Sequence, residues 1–392
     1  MYNTFVSTYQ GLEEVLEEEL QELGYSDRIV RKVRRGVYLE KLDLEDIYRL
    51  NYELRTALRV LINLRSFRIF RADQLAHKLR HEKWERWFLP EHSFKVEAVV
   101  NRSELFRNSQ YAAQVAKDGI VDHFMDKFGK RPEVELRYPQ IRIHLLISSD
   151  QVTISLDSSG ESLHKRGSKV SNGIAPLSEV LASGILKLSG WTPDTPLFDP
   201  MCGSGTFLTE AYGIATKTPA GKYRREFAFQ NWNNFNSDTW QSVKDESNAK
   251  TLPHSESLQI RGADRSPDAM RSSRRNLDQI GAGRVQISKE DFFRSFPKES
   301  EGMLIMNPPY DKRIQLDGED SFYPRIGDQF KKAYPGWRAG VFSSNMPQLK
   351  RTGLKPQKRI PLFNGPLEGR LFLFELYSGS RKVKGNPEEN QD

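Results

Sequence analysis

Four positions stand out because each follows an apolar run and opens a polar turn. The first is Asp199-Pro200-Met201-Cys202-Gly203-Ser204-Gly205-Thr206, ahead of a helix that starts Phe207-Leu208-Thr209-Glu210-Ala211. Gly203 and Gly205 let the backbone bend sharply and let a ligand approach the main chain. The free N–H groups of the helix start offer a positive pole to a carboxylate or phosphate. A phosphate-binding G-x-x-x-x-G-K-[ST] loop is absent, and Leu208 stands where a dinucleotide loop has its third glycine. The loop therefore favours an adenosine-bearing ligand without a pyrophosphate. Asp264 closes the strand-like run IRGAD, where a carboxylate can accept from two ribose hydroxyls or, equally, cap a helix over Ser266–Ile280. Asp291, in Lys289-Glu290-Asp291-Phe292-Phe293, can accept an adenine amino group while a phenylalanine packs on the ring. Taken alone it is a solvated loop carboxylate.

The fourth position decides the reading. The apolar run Gly302–Met306 leads straight into Asn307-Pro308-Pro309-Tyr310. Two prolines fix the backbone and donate no hydrogen bonds. The Asn307 side-chain carbonyl and the Pro308 backbone carbonyl are then acceptors for the two hydrogens of an exocyclic amine. Gripping both turns the nitrogen lone pair toward an incoming methyl group, and Tyr310 can stack on the base. The four positions fall in order at the carboxyl ends of successive strands, where ligands of open α/β sheets sit.

Positioning these residues requires a parallel sheet. From residue 196 onward strands and helices alternate in the manner of crossover units. The expected strands are Pro196–Asp199, Leu258–Ala263, Arg284–Ser288, Gly302–Met306, Ala339–Ser343 and a hairpin of Arg359–Phe363 with Leu371–Tyr377, preceded by a helix over Leu177–Leu188. Residues 218–257 show no clear period and read as an insertion. Its Trp232, Phe235 and Trp240 suit either capping a sheet or stacking on RNA bases. In front lie two smaller units. The first has a strand at Thr4–Tyr9, an acidic amphipathic helix carrying Leu12, Val15, Leu16, Leu20 and Leu23, a strand at Val33–Leu42 and a helical stretch over Leu44–Leu64. The second has a helix over Gln74–Phe88, a strand at Phe94–Val100, a long helix over Asn108–Phe128, and a hairpin from the alternations at 141–147 and 152–156.

Taken together, the chain resembles the THUMP-domain class I S-adenosylmethionine-dependent RNA methyltransferases, and within them the bacterial enzymes that methylate guanine N2 of large-subunit ribosomal RNA. Besides the loops above, the resemblance rests on Ser103-Glu104-Leu105-Phe106 with Asn108-Ser109-Gln110, on Gly160-Glu161-Ser162-Leu163-His164-Lys165-Arg166-Gly167, on Ala175-Pro176-Leu177, and on Leu362-Phe363-Asn364-Gly365-Pro366-Leu367-Glu368. It implies an α/β chain with a Rossmann-like methyltransferase domain over 177–380. A ferredoxin-like domain over 1–66, a THUMP RNA-binding domain over 67–158 and a linker over 159–176 precede it, and 381–392 form a frayed tail. It also implies S-adenosylmethionine as cofactor. Asp199, Met201, Cys202, Gly203, Gly205 and Thr206 would shape its methionine end, Asp264 the ribose and Asp291 the adenine. Asn307, Pro308, Pro309 and Tyr310 would form the target-amine site. Asp311-Lys312 stands where many relatives have Gly-Glu.

Composition agrees with this class. The 392 residues carry 59 Lys+Arg against 52 Asp+Glu, a net +7, which suits a polyanionic partner such as ribosomal RNA. One cysteine rules out a disulfide framework or a cysteine-rich zinc module. No apolar run approaches the ~20 residues of a membrane span, and the start has no signal-peptide pattern, so a cytoplasmic protein that needs no metal is expected. The basic N-terminal half is expected to hold the RNA while the target base is flipped out. Cys202 lies inside the cofactor loop and reads as packing rather than as a nucleophile. His77 and His81 have the i, i+4 spacing of a metal pair but no further ligand nearby, so they read as surface or half-buried histidines, and Trp84, Trp87 and Phe88 read as core. The competing readings are an adenine-N6 nucleic-acid methyltransferase and a non-catalytic RNA-binding assembly factor.

Overall fold

The computed structural model describes residues 1–170, 177–309 and 319–377. Two seven-stranded sheets organise them. The first contains β1 (Tyr2–Ser7), β2 (Ile29–Val33), β3 (Gly36–Leu42), β4 (Arg59–Arg68), β5 (Phe94–Asn101), β6 (Ile141–Ser148) and β7 (Gln151–Asp157), in the order β2-β3-β1-β4-β7-β6-β5. Helices α1 (Glu13–Glu22), α2 (Leu44–Glu53), α3 (Asp73–Arg80) and α4 (Ser109–Phe128) pack on it. The apolar stripe of α1 faces inward, with Leu12, Leu16 and Leu20 buried and Glu14 and Glu18 in solvent. Helices α3 and α4 approach closely because α4 has a glycine at the contact: a Cβ on Gly119 would stand 2.4 Å from the Ala76 carbonyl oxygen.

Two expectations for this half are corrected. The helical stretch over Leu44–Leu64 ends at Glu53, and Arg59–Arg68 is a strand. The leucines of that stretch fit a helical period, but Val60 and Ile62 alternate onto one buried face of a sheet, and short apolar runs satisfy both periods. The helix expected over Gln74–Phe88 stops at Arg80, and a short 3₁₀ turn carries Trp84. Trp84 and Phe88 are fully buried, as core residues. The two N-terminal units also share one sheet. Strand β4 spans the boundary expected at residue 66 and pairs antiparallel with β1 on one side and β7 on the other, from Leu61↔Asp157 to Arg68↔Gln151.

The second sheet contains β8 (Leu197–Asp199), β9 (Ile260–Asp264), β10 (Gln286–Lys289), β11 (Met303–Met306), β12 (Arg338–Ser343), β13 (Lys358–Asn364) and β14 (Leu367–Glu375), in the order β10-β9-β8-β11-β12-β14-β13. The first five strands of that order run parallel, and β14 and β13 close the edge as an antiparallel hairpin. Strands β8 and β11 are buried at every residue, as a sheet covered on both faces demands. The covering helices are α5 (Glu179–Leu188), α6 (Thr206–Ala215), α8 (Pro267–Gln279) and α9 (Glu319–Ala333). No helix among the described residues is long and apolar enough to cross a membrane.

The stretch 218–257 contains α7 (Ser237–Ala249); its middle, from Phe227 to Val243, docks on the first sheet's domain, while Tyr223 and His254 near its ends reach Ile280 and Tyr212 of the second. Trp240 stands edge-on to Tyr52 at 5.3 Å, Trp232 meets Trp87 at 5.3 Å and Phe229 meets Tyr48 at 4.4 Å. Trp232 and Trp240 are buried there, so their surface is spent on joining the two halves and is not offered to RNA bases.

Candidate active site

Strand β8 lies between β9 and β11, and all three run parallel, so the loops that follow them leave the sheet at the same edge. The chain moves outward from β8 to β9 and β10, then returns to the opposite side of β8 for β11. This reversal of strand order is where α/β sheets open a ligand crevice. The Asp199 loop, Asp264, Asp291 and Asn307 all stand at or just beyond these strand ends.

The loop after β8 is tied down by its own backbone. Gly205 N–H donates to the Cys202 carbonyl at 2.7 Å, and Cys202 N–H donates to the Ala263 carbonyl at 2.9 Å. Both glycines have left-handed backbone, φ 54° at Gly203 and 79° at Gly205. At Gly205 a side chain would strike Ser273 Oγ at 2.3 Å, whereas a Cβ on Gly203 would meet nothing within 4 Å. Gly205 is thus required by packing on α8. Gly203 faces open space, as a cradle for a ligand would. Thr206 begins α6 and is buried.

Asp199 and Asp264 divide the electrostatics. Asp199 is 1% exposed, and its Oδ1 accepts from Met201 N–H at 3.2 Å. Among the described residues no Lys, Arg or His forms an ion pair with it. Burial pushes its carboxyl well above the usual value; the Met201 N–H opposes this and the negative charge of Asp264 adds to it. Asp264 is half-buried and accepts Gly203 N–H at 3.0 Å on one oxygen and Ser266 N–H at 2.8 Å on the other. It is not the cap of α8: Ser266 is, accepting from Ala269 N–H. Each Asp264 oxygen keeps a second lone pair for a ligand hydroxyl. Asp291 is half-buried, accepts Phe293 N–H at 3.0 Å and starts a short 3₁₀ turn. The Phe293 ring beside it lies under the Arg325 guanidinium, 3.9 Å away.

Cys202 is buried, and burial raises its thiol, with the carboxylates of Asp199 and Asp264 raising it further. It is a protonated packing group rather than a thiolate nucleophile. Asn307 is half-buried, Pro308 buried and Pro309 half-buried at the end of β11. Tyr310, Asp311 and Lys312 lie outside the described residues. His77 on α3 and His81 just past its end face each other at 4.5 Å, remote from this edge in sequence and sheet, and among the described residues no cluster of three or more His, Cys, Asp or Glu is able to hold a metal.

Sequence reasoning missed a second set of residues that brace the loop from behind. Glu210, one turn into α6, is 4% exposed and is held by Arg55 at 3.0 Å, by Arg166 at 3.3 Å and by the Ser183 hydroxyl. Burial works against its charge, and the guanidinium groups of Arg166 and Arg55 outweigh it, so its carboxyl stays below the usual value. Asn276 donates to the Ser204 carbonyl at 2.9 Å and accepts Val170 N–H at 3.0 Å. Lys169 Nζ reaches Thr206 Oγ1 at 3.3 Å and Glu179 at 3.2 Å. The polar stretch expected as a linker therefore grips the loop through Arg166, Lys169 and Val170. The available signal was Glu210 itself, a charge inside the otherwise apolar helix TFLTEAYGIA, where ionised residues are buried only when paired.

Comparison with known proteins agrees with this arrangement. Residues 166–372 match the model of an RMKL-like methyltransferase domain, 71–157 a THUMP domain and 3–61 an RlmL ferredoxin-like domain. The chain belongs to the THUMP-domain, S-adenosylmethionine-dependent RNA methyltransferases. It is 36% identical over 377 residues to a Synechocystis sp. protein that bears an RNA methyltransferase name, covering 95% of this chain and 96% of that one. It is 33% identical over 391 residues to the ribosomal RNA large subunit methyltransferase K/L of Cellvibrio japonicus, covering 96% of this chain and 51% of that one. The chain thus spans about half the length of the K/L relatives it matches. Among solved structures, SMU.472, which bears a methyltransferase name and is complexed with SAH, superposes with a TM-score of 0.82 at 28% identity, over 97% of this chain and 99% of that one. Within this THUMP-domain family, the ferredoxin-like, THUMP and methyltransferase parts follow one another in the order expected from the sequence.

Proposed function

We propose that this member of the family transfers a methyl group to an exocyclic amine of an RNA base, with guanine N2 of large-subunit ribosomal RNA as the substrate. The observation that carries the site assignment is Asp199: a buried carboxylate without a cationic partner among the described residues, at the strand end that faces the open Gly203 turn. A ligand with an ammonium group and an adenosine satisfies that site. S-adenosylmethionine, when bound, supplies an electrophilic methyl on a sulfonium. Asp199 and the Met201–Gly205 backbone hold the amino-acid end, Asp264 the ribose hydroxyls and Asp291 the adenine amine. Across β11, the Asn307 and Pro308 carbonyls accept the two hydrogens of the target amine and orient its lone pair. Proline at 308 and 309 fixes that backbone. The amine becomes acidic once alkylated and gives its proton to solvent, so no general base is assigned. The chain works where the RNA is, in the cytoplasm.

Nucleoside mass spectrometry of ribosomal RNA, incubated with the purified protein and S-adenosylmethionine, tests this reading. N2-methylguanosine is the expected product. N6-methyladenosine in its place would transfer the assignment to adenine, and cofactor binding with no methylated nucleoside would favour an assembly factor. Asn307→Ala is expected to abolish the product while leaving cofactor affinity largely intact.

A further inference from the structure

The net charge of the chain does not sit where RNA binding was first expected. Residues 1–160 hold 25 Lys and Arg against 25 Asp and Glu, a net of zero, so the N-terminal half is not basic as a whole. Residues 329–367 hold eight Lys and Arg and no acid, which exceeds the +7 of the entire chain. All eight are exposed. Five of them lie on the α9 side: Lys331 and Lys332 at the end of α9, Lys350 and Lys355 in the connection after β12, and Arg359 on β13, whose guanidinium stands over the Phe372 ring; Lys358 alternates to the other face of β13, beside Leu373. The connection lies against α9, since a Cβ on Gly327 would collide with the Thr352 carbonyl and the Lys331 ammonium stands 4.0 Å from a Cβ on Gly353. Lys350, Lys355, Lys358 and Arg359 form no ion pair with an acid among the described residues. Among the described residues, the acid paired with the group is Asp328, at 3.9 Å from Lys331.

Ordinary causes cover part of this pattern. Two lysines in the last turn of α9 suit the helix dipole, and basic residues on β13 protect a sheet edge from pairing with another chain. Neither explains Lys350 and Lys355, which lie in neither element. Neither explains the missing acids, since a surface built only for solubility mixes both signs, as the N-terminal half does. The connection leaves the carboxyl end of β12, the strand next to β11 and Asn307. Strand β13 stands three strand spacings from β11, about 15 Å. A nucleic acid whose target base reaches Asn307 has its backbone within reach of this edge.

We infer that the α9 side of the β13 edge, with Lys350, Lys355 and Arg359 at its centre, is a phosphate-backbone docking surface for the substrate RNA, built into the methyltransferase domain itself. The inference rests on the proposed RNA methyltransfer and adds where the RNA is held. The test is the triple variant Lys350→Gln, Lys355→Gln, Arg359→Gln, assayed for binding to a ribosomal RNA fragment across a potassium chloride series. Each lost phosphate contact lowers the salt slope by about 0.7–0.9, so the slope should fall by roughly 2 and KM for RNA should rise at least about tenfold. Cofactor affinity by calorimetry and the melting temperature should stay at wild-type values. Lys355→Gln alone, fully on the surface, should give a third of the slope change. Wild-type slope and KM in these variants, with the loss appearing instead in Arg102→Gln, Arg107→Gln, would overturn the inference and return RNA docking to the N-terminal half. Absence of methyl transfer by the wild-type protein would instead sink the reading of its function, and the two failures are separate readouts.

Discussion

Two buried carboxylates stand eleven positions apart in one strand–loop–helix unit and behave oppositely. Glu210 is enclosed by Arg55, Arg166 and Ser183 and keeps its charge. Asp199 is as deeply buried, accepts one backbone N–H and is pushed toward its protonated form. A folded protein completes the pairing of a charge that serves structure. It leaves unpaired a charge whose partner arrives with a ligand, because an internal partner would have to be displaced. The difference separates the brace behind the loop from the site in front of it, although both lie in the same apolar setting.

Breaking the brace should have the largest effect. Glu210→Ala leaves two arginines buried with no acid between them and should cost about 3–5 kcal/mol of unfolding free energy, read by urea denaturation. A loss under about 1 kcal/mol would mean that the cluster is hydrated and carries little. Asp264→Ala removes ribose acceptors and the Gly203 anchor. It should weaken cofactor binding by roughly 1–3 kcal/mol in calorimetry, and unchanged affinity would remove Asp264 from the site. The smallest effect is on the ligand-free fold and differs in sign. The raised carboxyl of Asp199 stabilises the fold most below its unfolded value, near 4, and that contribution is lost as pH rises toward the folded value. Asp199→Asn should therefore be at least as stable as the wild type at neutral pH and gain on it as pH rises from 4. Glu210, held low, contributes above its unfolded value and loses that contribution as pH falls through its folded one. Melting curves from about pH 2 to 8 distinguish the two, and parallel curves for both variants would erase the distinction.

What was legible in the sequence was local. The Gly203 turn, the Asn307-Pro308-Pro309 corner and the alternation of β8 to β12 follow from residue chemistry within a few positions, and they emerged within one or two residues of their expected bounds. What was not legible depends on partners far away in the chain. Nothing between Leu44 and Leu64 says that Val60 and Ile62 will be sandwiched between β1 and β7, the latter almost a hundred residues later. The aromatic run at 227–240 gives no hint that Tyr48, Tyr52 and Trp87 await it. Nothing beside Arg55 or Arg166 in the sequence says that the fold will bring both onto Glu210. The even charge of the N-terminal half is legible too, since its 25 Lys and Arg are matched by 25 Asp and Glu, and it corrects the expectation of a basic N-terminal half.

The contrast between the two carboxylates is tested most directly by a pair of ligands. S-adenosylhomocysteine carries the ammonium group assigned to Asp199, and 5′-methylthioadenosine lacks that end of the molecule. Calorimetry of the wild type and Asp199→Asn should show about a 10- to 150-fold loss of affinity for the first and no loss for the second. Equal losses for both ligands, or none for either, would contradict the claim that Asp199 is held unpaired for the cationic end of the cofactor.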